Sequence, residues 1–198
     1  MAKNPKPPTA LEYAVLGVVA ARPHTGYEIC RLFEETPIAV YSSSPGSIYP
    51  AIRRLRAAGL LEETPHPDNP EGSKTALQIT GDGRAALRAW LNAPVAREDV
   101  ERRMDELLLR FAFMSGNVPP GAVVRFLQRL KSEIDAHVQR LGAYAAQASK
   151  HMPLTGALAL QAGIGAYREK ARWTARALEA LDEEEARAGR PASQRRTS

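Results

Sequence analysis

The sequence predicts a mainly α-helical protein with one short β-hairpin, on three observations. Apolar residues recur at helical spacing through most of the chain. The turn-forming stretch DNPEGS separates two short segments, GLLEETPHP and SKTALQIT, that suit paired strands. Beyond Asn92-Ala93-Pro94 the composition changes, and the apolar stripes lengthen to about 30 residues.

Residues 1–8 read as a disordered, proline-rich and basic lead-in. Thr9 opens the first helix: Glu12 stands three residues on, the spacing at which hydroxyl and carboxylate each cap the other's backbone N–H. Leu11, Val15, Leu16, Val18 and Val19 leave that helix little polar surface, which makes it a central packing helix ended by Pro23. Thr25 and Glu28 repeat the start signal in HTGYEICRLFEE, with Ile29, Leu32 and Phe33 on one face. This second helix closes before Pro37, and Tyr27 is read as a core residue.

The third element is the basic stretch SSSPGSIYPAIRRLRAAGLLEE, residues 42–63. At about 100° per residue, Ile48, Ala51, Ile52 and Leu55 fall on one side. Gly46, Ser47, Pro50, Arg53, Arg54 and Ala57 fall on the other. Ser43 or Ser44 serves as N-cap, and Pro45 sits where a missing N–H costs nothing. Pro50 lies past the first turn, where it removes a bond and crowds the carbonyl four residues back, so a kink or a 3₁₀ first turn is expected. Gly59 suits the left-handed C-terminal position. The hairpin over 60–79 follows, and Thr80 then caps a fourth helix, GDGRAALRAWL, with Ala85, Leu87, Trp90 and Leu91 as packing residues. Trp90, at its end, is placed to pack across to the helices beyond.

Three helices, a hairpin and a helix make a winged helix-turn-helix domain over residues 1–92. A helical dimerisation domain is expected over 93–188, with helices at roughly 96–114, 119–149 and 155–187, and a disordered tail over 189–198. In the second of these, Val123, Phe126, Leu127, Leu130, Ile134, Val138 and Leu141 form one stripe. Ile164, Tyr167, Ala171, Thr174, Leu178 and Leu181 form another in the third. Stripes this long call for a partner chain to cover them, hence a homodimer.

With 198 residues, 44% hydrophobic and 25% charged, the chain has the make-up of a globular protein. The net charge of +5 is not concentrated in the first domain: residues 1–92 carry ten Lys and Arg against nine Asp and Glu, and the rest seventeen against thirteen. A nucleic-acid reading therefore rests on where arginines stand, not on the total. Cys30 is the sole cysteine, which excludes an internal disulfide and a thiol-paired metal site. His24, His66, His137 and His151 are scattered without metal-ligand spacing, and neither a phosphate loop nor a nucleophile elbow occurs. No catalysis, cofactor or metal is expected. The N-terminal apolar run, Ala14 to Ala21, is too short to span a bilayer, so a cytoplasmic protein without membrane contact is expected.

HTGYEI (24–29), SPGSIYPAIRRLRAAGLLE (44–62) and ITGDGRAAL (79–87) together resemble the PadR-like family of bacterial transcriptional regulators. The likeness covers residues 9–92 through these motifs and the remainder mainly through architecture, with DELLLRFAF (105–113) leading into long helices. It implies a homodimeric winged-helix protein, commonly a repressor and often released by a small molecule. One departure stands in the second wing strand, where Leu77 replaces the family's usual tyrosine. Lys74 still supplies a cation near the wing tip.

The physical case for DNA binding stands beside the likeness. A helix N-terminus offers N–H groups and a positive dipole end to phosphate, and Ser44 and Ser47 add hydroxyl donors. Tyr49 donates from the flank, Pro50 trims the exposed face, and Arg53 and Arg54 lie further along, where guanidinium forks pair with guanine edges or phosphates. These residues and Lys74 form the candidate DNA-binding set, and the partner is a roughly palindromic duplex operator. Trp173, off the main stripe of the last helix, is the candidate for effector contact, weighed against plain packing. The competing reading is a helical dimer that docks proteins or carries a small molecule without specific DNA binding. Steep loss of duplex affinity with salt separates the two.

Overall fold

The computed structural model describes residues 7–36, 38, 44–68, 75–148 and 151–188. In chain order it comprises α1 (Ala10–Ala21), α2 (Gly26–Glu35), α3 (Pro45–Ala57), β1 (Leu61–Pro65), β2 (Thr75–Ile79), α4 (Gly81–Leu91), α5 (Arg97–Arg102), α6 (Met104–Ala112), α7 (Pro120–Ala148) and α8 (Leu154–Ala188). The chain separates into two compact units, Met1–Ala93 with Leu108–Val118, and Pro94–Leu107 with Pro119–Ser198. The lead-in as far as residue 6, Ser43, Lys74 and the tail from residue 189 lie outside the described residues.

Both expected capping boxes form. The Thr9 hydroxyl accepts from the Glu12 N–H while Glu12 accepts from the Thr9 N–H, and Thr25 and Glu28 do the same. Helix α1 is central in its unit and packs on α3, α4 and β2. Leu16, Ile29, Phe33, Ile48, Leu55, Leu87 and Leu91 are fully buried there, so α1 to α4 close a core of their own. The Thr80 hydroxyl accepts from the Gly83 N–H and donates to the Gly59 carbonyl, which ties the start of α4 to the turn that ends α3. A guanidinium nitrogen of Arg110, itself buried, donates to the carbonyls of Leu91 and Ala93 and so caps the C-terminal end of α4.

Strands β1 and β2 pair antiparallel, from Leu61 opposite Ile79 to Pro65 opposite Thr75. His24 pairs with the other edge of β2 through two backbone bonds to Leu77, 3.1 and 2.8 Å. β2 is thus flanked on both edges, and both Ala76 and Leu77 are buried. The Leu77 side chain belongs to the core.

Four expectations are corrected. Tyr27 is not a core residue: it is 66% exposed, because it lies across α2 from the Ile29 and Phe33 side. Ala85 is exposed, and Gly83 takes its place on the buried side of α4. The expected helix over 96–114 is two helices, because Arg103 leaves helical geometry at φ −136° and ψ 35°. Asp99 serves both ends of α5, accepting from the Ala96 N–H and pairing with the Arg103 guanidinium. Helix α3 runs through Pro50 unbroken; what appears of the expected distortion is a short i to i−3 bond, Ser47 N–H to the Ser44 carbonyl at 2.9 Å. Trp90 is buried as expected, and its ring stacks on Tyr13 of α1 at 4.5 Å.

In the second unit, α7 and α8 pack along each other, antiparallel because only residues 149–153 join them. Ala122, Phe126, Leu127, Leu130 and Ile134 are buried, while Val138 and Leu141 further along the same stripe are half-buried. Of the described side chains of α8, only Ile164 and Thr174 are buried. Among the described residues no helix is long and apolar enough to cross a membrane.

Candidate nucleic-acid interface

Helix α3 is held by one face and presents the other. Ile48, Ala51, Ile52 and Leu55 are buried, whereas Gly46, Ser47, Arg53, Arg54 and Ala57 are exposed and Pro50 is half-buried. Ser44 takes the N-cap position, and Pro45 occupies the first turn. Since Pro45 has no N–H and the Ser47 N–H is turned onto the Ser44 carbonyl, any phosphate contact at this end falls to the Gly46 N–H and the Ser44 and Ser47 hydroxyls.

The C-terminal end of α3 closes on a left-handed glycine. Gly59 has φ +71°, its N–H donates to the Arg56 carbonyl and the Leu60 N–H to the Leu55 carbonyl, both at 2.9 Å. This turn sends the chain directly into β1, so the hairpin starts at a fixed angle to the helix. At the other end, Tyr49 lies over Gly26 of α2: a Cβ there would meet its ring at 2.8 Å. The glycine of HTGYEI is therefore the seat that lets Tyr49 lean on α2 while remaining partly exposed.

The three arginines of α3 differ in their surroundings. Arg53 stands exposed on the outward face. Arg54 reaches back to α1, its Nε donating to Glu12 Oε1 at 2.5 Å. Arg56 pairs with Glu63 of β1 at 2.8 Å. Glu12 is buried, which pushes its carboxyl up, but the Thr9 N–H and Arg54 outweigh this and hold it below the ordinary value. It is therefore charged at neutral pH. Sequence reasoning did not find this partner: the capping-box spacing assigned Glu12 to the Thr9 N–H alone.

A second polar contact ties the hairpin to the helix-turn-helix. His66, at the end of β1 and buried, sets Nε2 3.3 Å from Glu28 Oε1, while its Nδ1 accepts from the Asp68 N–H at 3.2 Å. The Thr25 N–H leads in pulling the Glu28 carboxyl down to about 2; burial opposes, and the Thr25 hydroxyl and His66 add to the pull. On β1 the exposed carboxylates Glu62 and Glu63, on opposite faces of the strand, bond to Gln78 and Arg56 in turn, so each has a polar partner.

In the helical unit Glu101 gathers Arg97, Arg140 and His137, and Tyr167 donates to the Val100 carbonyl with its ring edge-on to His137. Trp173 is half-buried on α8. Among the described residues no group of three or more His, Cys, Asp or Glu is placed to hold a metal.

A basic-faced helix seated on its neighbour and followed by a β-hairpin is the arrangement the motifs implied. A family model described as the transcriptional regulator PadR-like family matches residues 15–89. Over that span the chain matches the PadR-like family. Its members are transcriptional regulators, not enzymes. A second model, described as virulence activator alpha C-term, matches residues 103–182. The negative transcriptional regulator PadR of Bacillus subtilis is 27% identical over 107 residues, 53% of this chain and 57% of that protein, so the match spans little more than half its length. Among solved structures, a PadR-like regulator of Bacillus cereus aligns at 22% identity and a TM-score of 0.39, over 88% of this chain and 99% of the other. Bacillus subtilis PadR in complex with operator DNA aligns at 20% and 0.38, over 87% and 99%; the same protein in complex with p-coumaric acid aligns at 20% and 0.39, over 88% and 99%.

Proposed function

We propose that this PadR-like chain is a homodimeric, DNA-binding repressor in which α3 enters the major groove and the hairpin 60–79 lies over the backbone or the minor groove. The observation that carries this is the division of α3 into a buried apolar face and an outward face of small residues and arginines. Ser44, Ser47, Tyr49, Pro50, Arg53, Arg54 and Lys74 form the contact set. The unit holding α1 to α4 is the DNA-binding part, and the long helices are the dimerisation part. Two-fold symmetry then calls for a roughly palindromic operator with half-sites about 34–36 Å apart, or a multiple of that. Repression is favoured by the relative named a negative regulator.

The same reading gives the dimer a small-molecule effector, a flat aromatic acid in class, as the Bacillus subtilis protein is described with p-coumaric acid. Bound beside Trp173, it would alter the separation of the two recognition helices so that both no longer reach their half-sites. The deciding experiment is fluorescence anisotropy against duplex from upstream of the chain's own gene, across a salt series, with Arg53→Ala/Arg54→Ala as control. Tight binding that falls steeply with salt and collapses in the double variant is expected. Absent or salt-insensitive binding, on that duplex and on random duplex, overturns the DNA reading in favour of a protein-docking dimer.

A further inference from the structure

We propose that Glu12 of α1 is a positioning residue for base reading: it holds the Nε edge of the Arg54 guanidinium and so fixes which base pair the remaining edge of Arg54 contacts. This rests on the reading of α3 as the recognition helix. The pair is asymmetric. The Glu12 side chain is 7% exposed and that of Arg54 59%, so the acceptor is anchored inside the fold while the donor stands at the surface. By contrast, Arg56 and Glu63 are both about half exposed, an ordinary surface pair free to rearrange.

The Glu12 carboxylate has a fixed orientation because both oxygens are engaged, Oε2 by the Thr9 N–H at 2.7 Å and Oε1 by Arg54 Nε at 2.5 Å. The first bond belongs to the cap that starts α1, and α1 is the central helix of its unit. The Arg54 guanidinium is therefore registered against the core rather than against its own flexible stem. A guanidinium has five donors in a rigid fork. With Nε occupied, the Nη1/Nη2 edge faces away from Glu12, and that edge matches the O6 and N7 acceptors of guanine in the major groove. A long side chain held in one orientation discriminates among base pairs better than one that samples many, because the ordering is complete before DNA arrives.

The test is selection from a random duplex pool followed by affinities for every single-base variant of the selected site. It compares the wild-type chain with Arg54→Ala, Glu12→Gln and the double variant. Arg54→Ala is expected to flatten the preference at one base pair per half-site by about tenfold or more. Glu12→Gln is expected to flatten that same pair, by about two- to tenfold, and the double variant to be no flatter than Arg54→Ala alone. Salt dependence should barely change in Glu12→Gln, since no phosphate contact is lost. A folded Glu12→Gln that keeps the wild-type preference overturns the proposal. So does an Arg54→Ala that weakens all sequences equally, which would make the pair a structural tie between α1 and α3. Should Glu12→Gln not fold, Arg54→Lys carries the test: Glu12 claims its single ammonium, so it too must flatten that pair, and retention of the preference sinks the idea. A wild-type chain that selects no sequence from the pool would instead overturn the DNA reading beneath it.

Discussion

Helices α3 and α8 solve opposite problems. The shorter, 13 residues long, buries four side chains against its own unit and keeps its polar face for something else. The longer has 35 residues, yet its described side chains include two that are buried, Ile164 and Thr174. Its first thirteen residues, LTGALALQAGIGA, carry no charge, and Leu154 and Leu158, one turn apart, are 74% and 55% exposed. Helical propensity alone does not hold so long a helix in water; an amphipathic face must be buried somewhere. The first unit closes its core within one chain, whereas α8 covers its stripe from Ile164 to Leu181 in part and leaves Leu154 and Leu158, beside that stripe, exposed. That is the physical support for the proposed homodimer.

The largest effect should come from attacking that difference directly. Leu154→Glu with Leu158→Glu puts two charges on the uncovered face. Sedimentation is expected to move from twice the 21.6 kDa chain mass to one. Affinity for an operator with two half-sites should fall by on the order of 100-fold or more as the two recognition helices cease to act together. A doubly substituted chain that still sediments at twice its mass would place the covered surface elsewhere.

Core truncation gives a smaller and differently shaped response. Phe33 is fully buried in the first unit, and Phe33→Ala is expected to cost about 3–5 kcal/mol. Its thermal midpoint should show no extra dependence on protein concentration. Leu178→Ala, half-buried on α8, should cost less, and because the dimer contributes to its stability its midpoint should rise with concentration. Equal behaviour of the two variants in a dilution series would remove the contrast between the units.

The same contrast governs how much was legible in the sequence. Local signals carried the first unit: Thr9 with Glu12, Thr25 with Glu28, and Gly59 each act within a few residues and each appears where the spacing put its helix end, and the two segments on either side of DNPEGS pair as β1 and β2. The wheel over 44–57 separated the buried and exposed faces of α3 correctly for the same reason. Tyr27 was misjudged by residue type, although its place across α2 from Ile29 and Phe33 already put it on the polar side. The break at Arg103 was hidden because REDVERRMDE reads as one continuous helical run, and only the pairing of Asp99 with both ends of α5 reveals the stop. Contacts across long separations, Arg54 to Glu12 and His66 to Glu28, were illegible: the capping boxes mark the two carboxylates, but nothing local directs Arg54 or His66 to them until the fold brings them together.

The smallest effect compares one carboxylate from each unit. Glu28 is drawn down to about 2 from an ordinary 4.5, first by the Thr25 N–H, against the opposing pull of burial, and then by the Thr25 hydroxyl and His66. Because His66 Nδ1 accepts from the Asp68 N–H, its neutral form carries the proton on Nε2 and donates toward Glu28. A carboxyl whose folded value lies below its unfolded one stabilises the fold above the unfolded value, and that contribution is lost as pH falls through 4.5 toward 2. Glu28→Gln should therefore lower stability by about 1–2 kcal/mol at neutral pH, with the gap to wild type closing in acid. Glu101 is also held low, but chiefly by Arg97, a side chain in solvent. Glu101→Gln should show a weaker pH dependence that added salt erases, while the Glu28 effect, made largely by a backbone N–H and a buried imidazole, persists in salt. Melting both variants and the wild type across pH at low and high salt checks this. If salt erased both effects equally, the clamp between α2 and the hairpin would be no firmer than a surface ion pair.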